Sequence, residues 1–135
     1  VRCHKKGYSE QGQGLVELAL VLPILLLLLF GIIEFGRVMG AGVIVTHSAR
    51  DAARYGTVGA TDSEIVERIR TKTAASLYDP SAPTDLQIEI FRTNVDGERD
   101  IEVNVRYAVQ LYMPIIPGLI GNPFIVEGSS LMRLE

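Results

Sequence analysis

Gly12, Gln13 and Glu17 are the residues of this sequence whose types and spacing could do chemistry. A glycine leaves a protease an unobstructed bond, and a cut after Gly12 would give Gln13 a free ammonium. Residues 13 and 17 are i and i+4 on one helical face, so the new amine could pair with the Glu17 carboxylate. Between two chains the same pair could set the axial register of packed helices. The plainer reading is interfacial. Glu17 stands about one turn inside an apolar run, close enough to reach back to lipid headgroups and avoid the few kcal/mol that a bare carboxylate costs deeper in a bilayer.

Other chemistry is poorly supported. After Gly12 the sequence holds one histidine, His47, and no cysteine, and no serine near His47 has a nucleophile-elbow context. His47 therefore reads as a structural or partly solvated side chain, and the chain as no enzyme. Gly12-Gln13-Gly14 opens like a dinucleotide fingerprint but has Glu17 where the third glycine belongs, with no strand before it. Asn94, Asp96, Glu98 and Asp100 place oxygens at alternate positions around Gly97, yet counting from Asn94 puts Val105 where a calcium loop needs glutamate. A polar hairpin turn is expected there. No metal and no cofactor is expected.

The element that must position Gln13 and Glu17 is the run that follows. From Leu15 to Ile33 the only charge is Glu17, and about 19 helical residues at roughly 1.5 Å each span nearly 30 Å, the hydrocarbon thickness of a bilayer. A secretory signal would be shorter and would end in a small-residue cleavage site, whereas here Glu34-Phe35-Gly36-Arg37 continues the helical pattern. Arg2, Lys5 and Lys6 before the span favour a cytoplasmic N-terminus and an outer C-terminal portion. The expected layout is a leader over 1–12, a transmembrane helix over 13–36 and one outer domain over 37–135, a single-pass protein in contact with membrane lipid. The lone cysteine, Cys3, lies in the leader, where reducing conditions disfavour disulfides, and the outer domain has no cysteine with which to build a disulfide framework. The full chain carries a net charge of −3, the leader is basic, and the remainder is left at −5. An acidic domain without a basic stripe argues against nucleic acid as a partner.

Pro23 lacks an amide hydrogen, which removes the bond to the Ala19 carbonyl and predicts a kink near that turn. Gly36 and Gly40 form a GxxxG just beyond the apolar core, suited to close packing against another helix or against the protein's own sheet. Past Phe35, the positions Val38, Gly42, Val45, Ala49, Ala52 and Gly56 recur at steps of three and four, so one helix is expected to continue outward with a narrow buried face. Arg50, Asp51 and Arg54 fall on its solvated side, Asp51 and Arg54 at pairing distance. Thr61 and Glu64 form a capping box for a second helix with Ile65, Ile69, Thr73 and Leu77 inward, ending at Asp79-Pro80.

Strands are expected next. Leu86, Ile88 and Ile90 alternate with polar residues, and a turn at Asp96-Gly97 leads to Ile101, Val103, Val105, Tyr107, Val109, Leu111 and Met113 on one face until Pro114. A last strand runs from Phe124 to Leu134 with Val126, Met132 and Leu134 inward. Three antiparallel strands beside a long helix make an α+β domain. The connection containing Ile115, Ile116, Leu119 and Ile120 is too apolar for an ordinary exposed loop: it is expected to fold over the domain's own core, with contact to another subunit or the membrane surface as the alternative.

Gly12-Gln13-Gly14-Leu15-Val16-Glu17 resembles the prepilin-peptidase site of type IV pilin-like proteins, with glutamate at the fifth position after the cut. The apolar run is similar to that of TadE-like pseudopilins, as are Leu22-Pro23, Glu34 to Arg37, the Ala/Arg-rich stretch Ser48 to Arg54 and the closing Ser130-Leu131-Met132-Arg133-Leu134-Glu135. The resemblance is strongest over residues 12–56. It implies a pilin-like fold, cleavage between Gly12 and Gln13, an assembly role for Gln13 and Glu17, and an inner-membrane minor subunit acting in Tad pilus biogenesis, adhesion or secretion. A prepilin peptidase, other pilin-like subunits and an inner-membrane assembly platform are the implied partners. The alternative from the residues alone is a single-pass anchor whose outer domain binds an envelope ligand and has nothing to do with pili.

Overall fold

In the computed structural model, the described residues are 8–77, 85–95, 97–112, 118 and 121–134. Arg2, Cys3, Lys5, Lys6, Asp96 and Met113 lie outside them, as do Ile115, Ile116, Leu119 and Ile120 of the apolar connection.

One helix, α1 (Tyr8–Thr57), contains both the apolar run and the outer helix, and continues through Pro23. Its last turn closes locally: Thr57 Oγ1 donates to the Arg54 carbonyl at 2.8 Å, and the Gly59 amide, on a residue with φ +92°, donates to the Gly56 carbonyl at 3.3 Å. The second helix, α2 (Asp62–Leu77), starts on the expected capping box. The Thr61 amide donates to Glu64 Oε2 at 2.8 Å, and the Glu64 amide donates to Thr61 Oγ1 at 3.4 Å, which satisfies two donors that a helix start leaves over. Ile65, Ile69 and Thr73 are buried and Leu77 packs at the core's margin.

Three strands follow: β1 (Leu86–Val95), β2 (Glu98–Val109) and β3 (Phe124–Leu134), antiparallel and in the order β1-β2-β3. Ile90 faces Val103, and Val103 faces Ser130. The β1–β2 hairpin closes between Val95 and Glu98, with Gly97 at φ +84°, a conformation that glycine adopts without strain. β1 runs five residues beyond the alternation that ends at Ile90. β2 stops at Val109, short of the expected Met113, although Leu111 keeps the buried parity.

The core lies between the inner face of this sheet and the outer part of α1. Ile101, Val103, Val105, Tyr107 and Val109 of β2 are buried against Ala41, Val45, Ala49, Ala52 and Ala53 of α1, with α2 closing the side. Small residues on the helix let it sit close to β2 and β3. The closest approach is at Gly128, directly across from Val105. A β-carbon there would stand 2.7 Å from both the Cα and the amide nitrogen of Thr46, so main chain lies on main chain.

Candidate functional site

Gly12 to Glu17 lie within α1, and each is exposed. Glu17 has neither an ion pair nor a hydrogen bond with any described residue. From Gly12 to Phe30 no residue is covered by the outer domain. This is the sole described helix long and apolar enough to cross a membrane. A wholly uncovered apolar helix of bilayer length at the N-terminal end suggests a single-pass membrane anchor.

Where the apolar run ends, α1 is clasped to the sheet. Glu34 is buried, and its Oε1 accepts the Tyr112 amide at 3.4 Å and faces the Arg37 guanidinium at 3.5 Å. Arg37 donates from Nη2 to the Gln110 carbonyl at 2.6 Å, and its guanidinium lies 4.6 Å from the centre of the Tyr112 ring. Asn122 holds the same stretch from the other side, its Oδ1 accepting the Leu111 amide at 3.0 Å and its Nδ2 donating to the Leu111 carbonyl at 3.3 Å. In the segment 110–112, which is not strand, the Gln110 and Leu111 carbonyls and the Leu111 and Tyr112 amides are thus met by side chains. In the sequence Glu34 looks like the charged end of a membrane span; its partner 78 residues away gives no local signal. Gly36 and Gly40 are exposed, and a β-carbon on either would meet nothing within 4 Å. The described part of the sheet therefore does not press on the GxxxG.

Further out, Asp51 departs from the expected pairing. It turns away from Arg54 to α2, where Oδ2 accepts Arg68 Nε at 3.0 Å and Lys72 Nζ at 2.8 Å. The hydrogen bond from Arg68, then that from Lys72, holds its carboxyl below the usual aspartate value. Arg68 also stacks 4.6 Å from the centre of the Tyr55 ring. Beneath them Thr73, fully buried, donates from Oγ1 to Ser48 Oγ at 2.8 Å. The cluster locks α2 to α1. A local i, i+3 count favours Arg54 because it is blind to a second helix packed alongside.

His47 is exposed on α1, at the rim of an open groove of about 480 Å³ that also includes Met39, Val43, Arg50, Ile125 and Glu127. Among the described residues no three of His, Cys, Asp and Glu are grouped to hold a metal ion. Of the hairpin oxygens, Glu98 and Asp100 turn to Arg133, at 2.6 and 3.6 Å. On the outer sheet face Arg106 bridges Glu127 at 3.2 Å and Glu89 at 3.8 Å.

The uncovered helix and its clasp are the part of the molecule that comparison with known families recognises. Residues 12–54 match the model of the TadE-like protein family. The match begins at the glycine before the apolar run and ends within the last turn of α1. It therefore takes in the apolar run, Glu34 and Arg37, and the α1 side of the core, and stops before α2 and the sheet. Comparison with curated proteins and with solved structures found no match.

Proposed function

We propose that this chain is a minor pilin-like subunit of a Tad pilus system, an assembly protein and not an enzyme. The observation that supports this is the coincidence of the TadE-like match with a helix whose apolar run the described residues leave bare and whose Glu17 has no partner among them. In this reading the residues up to Gly12 stay in the cytoplasm and a prepilin peptidase cuts between Gly12 and Gln13. The domain lies outside the inner membrane, and the exposed helix packs against other pilin-like subunits delivered by an inner-membrane platform. The new Gln13 amine then meets a Glu17 carboxylate, which offsets the cost of each charge in an apolar bundle. Exposed Gly36 and Gly40 allow close helix approach on the same rod.

Mass spectrometry of the N-terminus in native membranes tests the reading. In cells with an active prepilin peptidase the mature chain should begin at Gln13, and Gly12→Leu should leave it uncut. Glu17→Ala should insert normally but lose co-purifying pilin-like subunits. An intact N-terminus, or unchanged partner recovery with Glu17→Ala, would return the chain to a membrane-anchored envelope-binding module.

A further inference from the structure

Where the apolar run meets the domain, the chain carries exposed apolar side chains that its fold does not use, and four of them gather within about 9 Å of the end of the run. Phe35 is 67 % exposed, Met39 54 %, Tyr112 76 % and Ile125 62 %. Their height follows from the helix. Counting from Ile33, where the apolar run ends, Phe35, Arg37 and Met39 stand about 3, 6 and 9 Å further along the axis. Tyr112 is fixed at the level of Glu34 and Arg37 by its amide and by its ring. Ile125 precedes Gly128 by three residues, about 10 Å of strand, and Gly128 lies on Thr46. Thr46 is seven residues, also about 10 Å, above Met39. Ile125 and Met39 accordingly share one groove wall to wall. A bilayer's headgroup layer is about 5–8 Å deep on each side of its hydrocarbon, so Phe35 and Tyr112 fall within it, while Met39 and Ile125 start about 1 Å above it and Met39, leaning back toward the start of the helix, reaches its outer edge.

The charges at this height fit the same surroundings. The Glu34 carboxylate is buried and faces Arg37, so it presents no bare anion to lipid. Arg37 is part-exposed beside a tyrosine ring, and an amphipathic ring with a neighbouring guanidinium is the pairing that interfacial regions favour.

We propose that the base of the outer domain is seated in the headgroup layer of the bilayer its own anchor spans, with Phe35, Met39, Tyr112 and Ile125 turned into lipid and Arg37 facing the phosphates. The inference rests on the membrane-anchor reading and is independent of any pilus. Contact with lipid at four points, from α1, the segment after β2 and the start of β3, fixes the domain's tilt on the membrane.

The chain contains no tryptophan, so single replacements report one place each. Full-length Tyr112→Trp, Met39→Trp, Leu25→Trp and Val58→Trp are reconstituted in vesicles of phosphatidylcholine and phosphatidylglycerol, with lipid brominated high or low on its acyl chains. Val58, 77 % exposed just past the far end of α1, is the aqueous reference, and Leu25 marks the anchor. Tyr112→Trp and Met39→Trp should emit to the blue of Val58→Trp, be quenched by the shallow bromines and resist aqueous acrylamide. Tryptophan at 112 and 39 behaving as at 58, while Leu25→Trp is quenched by the deep bromines, would overturn the seating and leave the anchor intact. Protection from acrylamide without quenching by brominated lipid would mean a protein surface covers the site and would also overturn it. Leu25→Trp unquenched by deep bromines would remove the anchor and this proposal together.

Discussion

Gly128→Ala sets two effects of opposite sign against each other. Glycine weakens a strand, so by backbone entropy alone alanine should stabilise by about 0.5–1 kcal/mol. The geometry says otherwise. The added β-carbon would lie 2.7 Å from the Thr46 Cα and nitrogen and 2.9 Å from the Val45 carbonyl carbon, against about 3.5–4.0 Å for an unstrained carbon contact. β3 must then move off α1 by roughly 1 Å, and neither side can yield by a rotamer change because both are main chain. Overpacking costs about 1–3 kcal/mol, and a main-chain obstacle belongs at the upper end of that range. The net expectation is a loss of about 2 kcal/mol, or a fall in Tm of about 8–16 °C for a domain of this size. The assay is thermal unfolding of the full chain in nanodiscs, followed by near-ultraviolet circular dichroism of the tyrosines, which ignores the helical anchor. Ser129→Ala, on the exposed face of the same strand, should stay within about 0.5 kcal/mol of the parent. A Gly128→Ala midpoint equal to or above the parent's would refute the close-contact argument and leave strand propensity in charge.

Asp51→Asn should lower Tm slightly at neutral pH and low salt, since part-exposed ion pairs contribute about 0.2–1 kcal/mol. Because the Asp51 carboxyl is depressed by Arg68 and Lys72, its contribution is complete above the ordinary aspartate value of about 3.9 and is lost as pH falls through the lower folded value. Melting curves from pH 7 to 2 should thus show parent and variant converging at the acid end. Glu34→Leu should strip the Tyr112 amide of its acceptor and speed its hydrogen exchange in the native state, while Asn122→Ala should do the same at Leu111, each at about 1–3 kcal/mol of local stability. Thr73→Val keeps the shape of a buried side chain but orphans Ser48 on the part-buried side; it should cost about 1 kcal/mol, and adding Ser48→Ala should return part of that loss in a double-mutant cycle.

What the sequence made legible was whatever repeats with a short period. The two-residue alternation from Ile101 to Leu111 marked the inner sheet face residue by residue, and the Thr61–Glu64 spacing marked the start of α2. Boundaries slipped where tertiary contacts decide them. Gln110 to Tyr112 keep the strand's burial parity, but two of their amides and two of their carbonyls go to Glu34, Arg37 and Asn122, so the alternation overshoots. Phe91 to Val95 extend β1 because β2 is long enough to pair with them, although they lack its alternation. The Asp51 partners and the burial of Glu34 depend on residues far along the chain and had no local mark. Gly128 did have one, a lone glycine inside a strand pattern, which is the usual mark of a bulge or a close backbone approach. The Gly12–Glu17 spacing was legible as chemistry, and its placement on an uncovered helix is consistent with that reading without deciding it.

The absence of any hinge between anchor and domain has a mechanical meaning. α1 passes from the apolar run into the core without interruption, and Gly128 rests on its backbone at Thr46 like a key in a shaft. A helix advances about 1.5 Å and turns about 100° per residue, so a slip of one residue against a neighbour in the membrane swings the whole sheet by more than a quarter turn. An axial pull on the anchor likewise loads the α1–β3 contact in shear, with no slack segment to take it up. Spin labels on Leu25 and on an outer-face position of β3 such as Ser129 should report one narrow distance. The azimuth of the domain around the rod is thereby set by whatever grips the anchor.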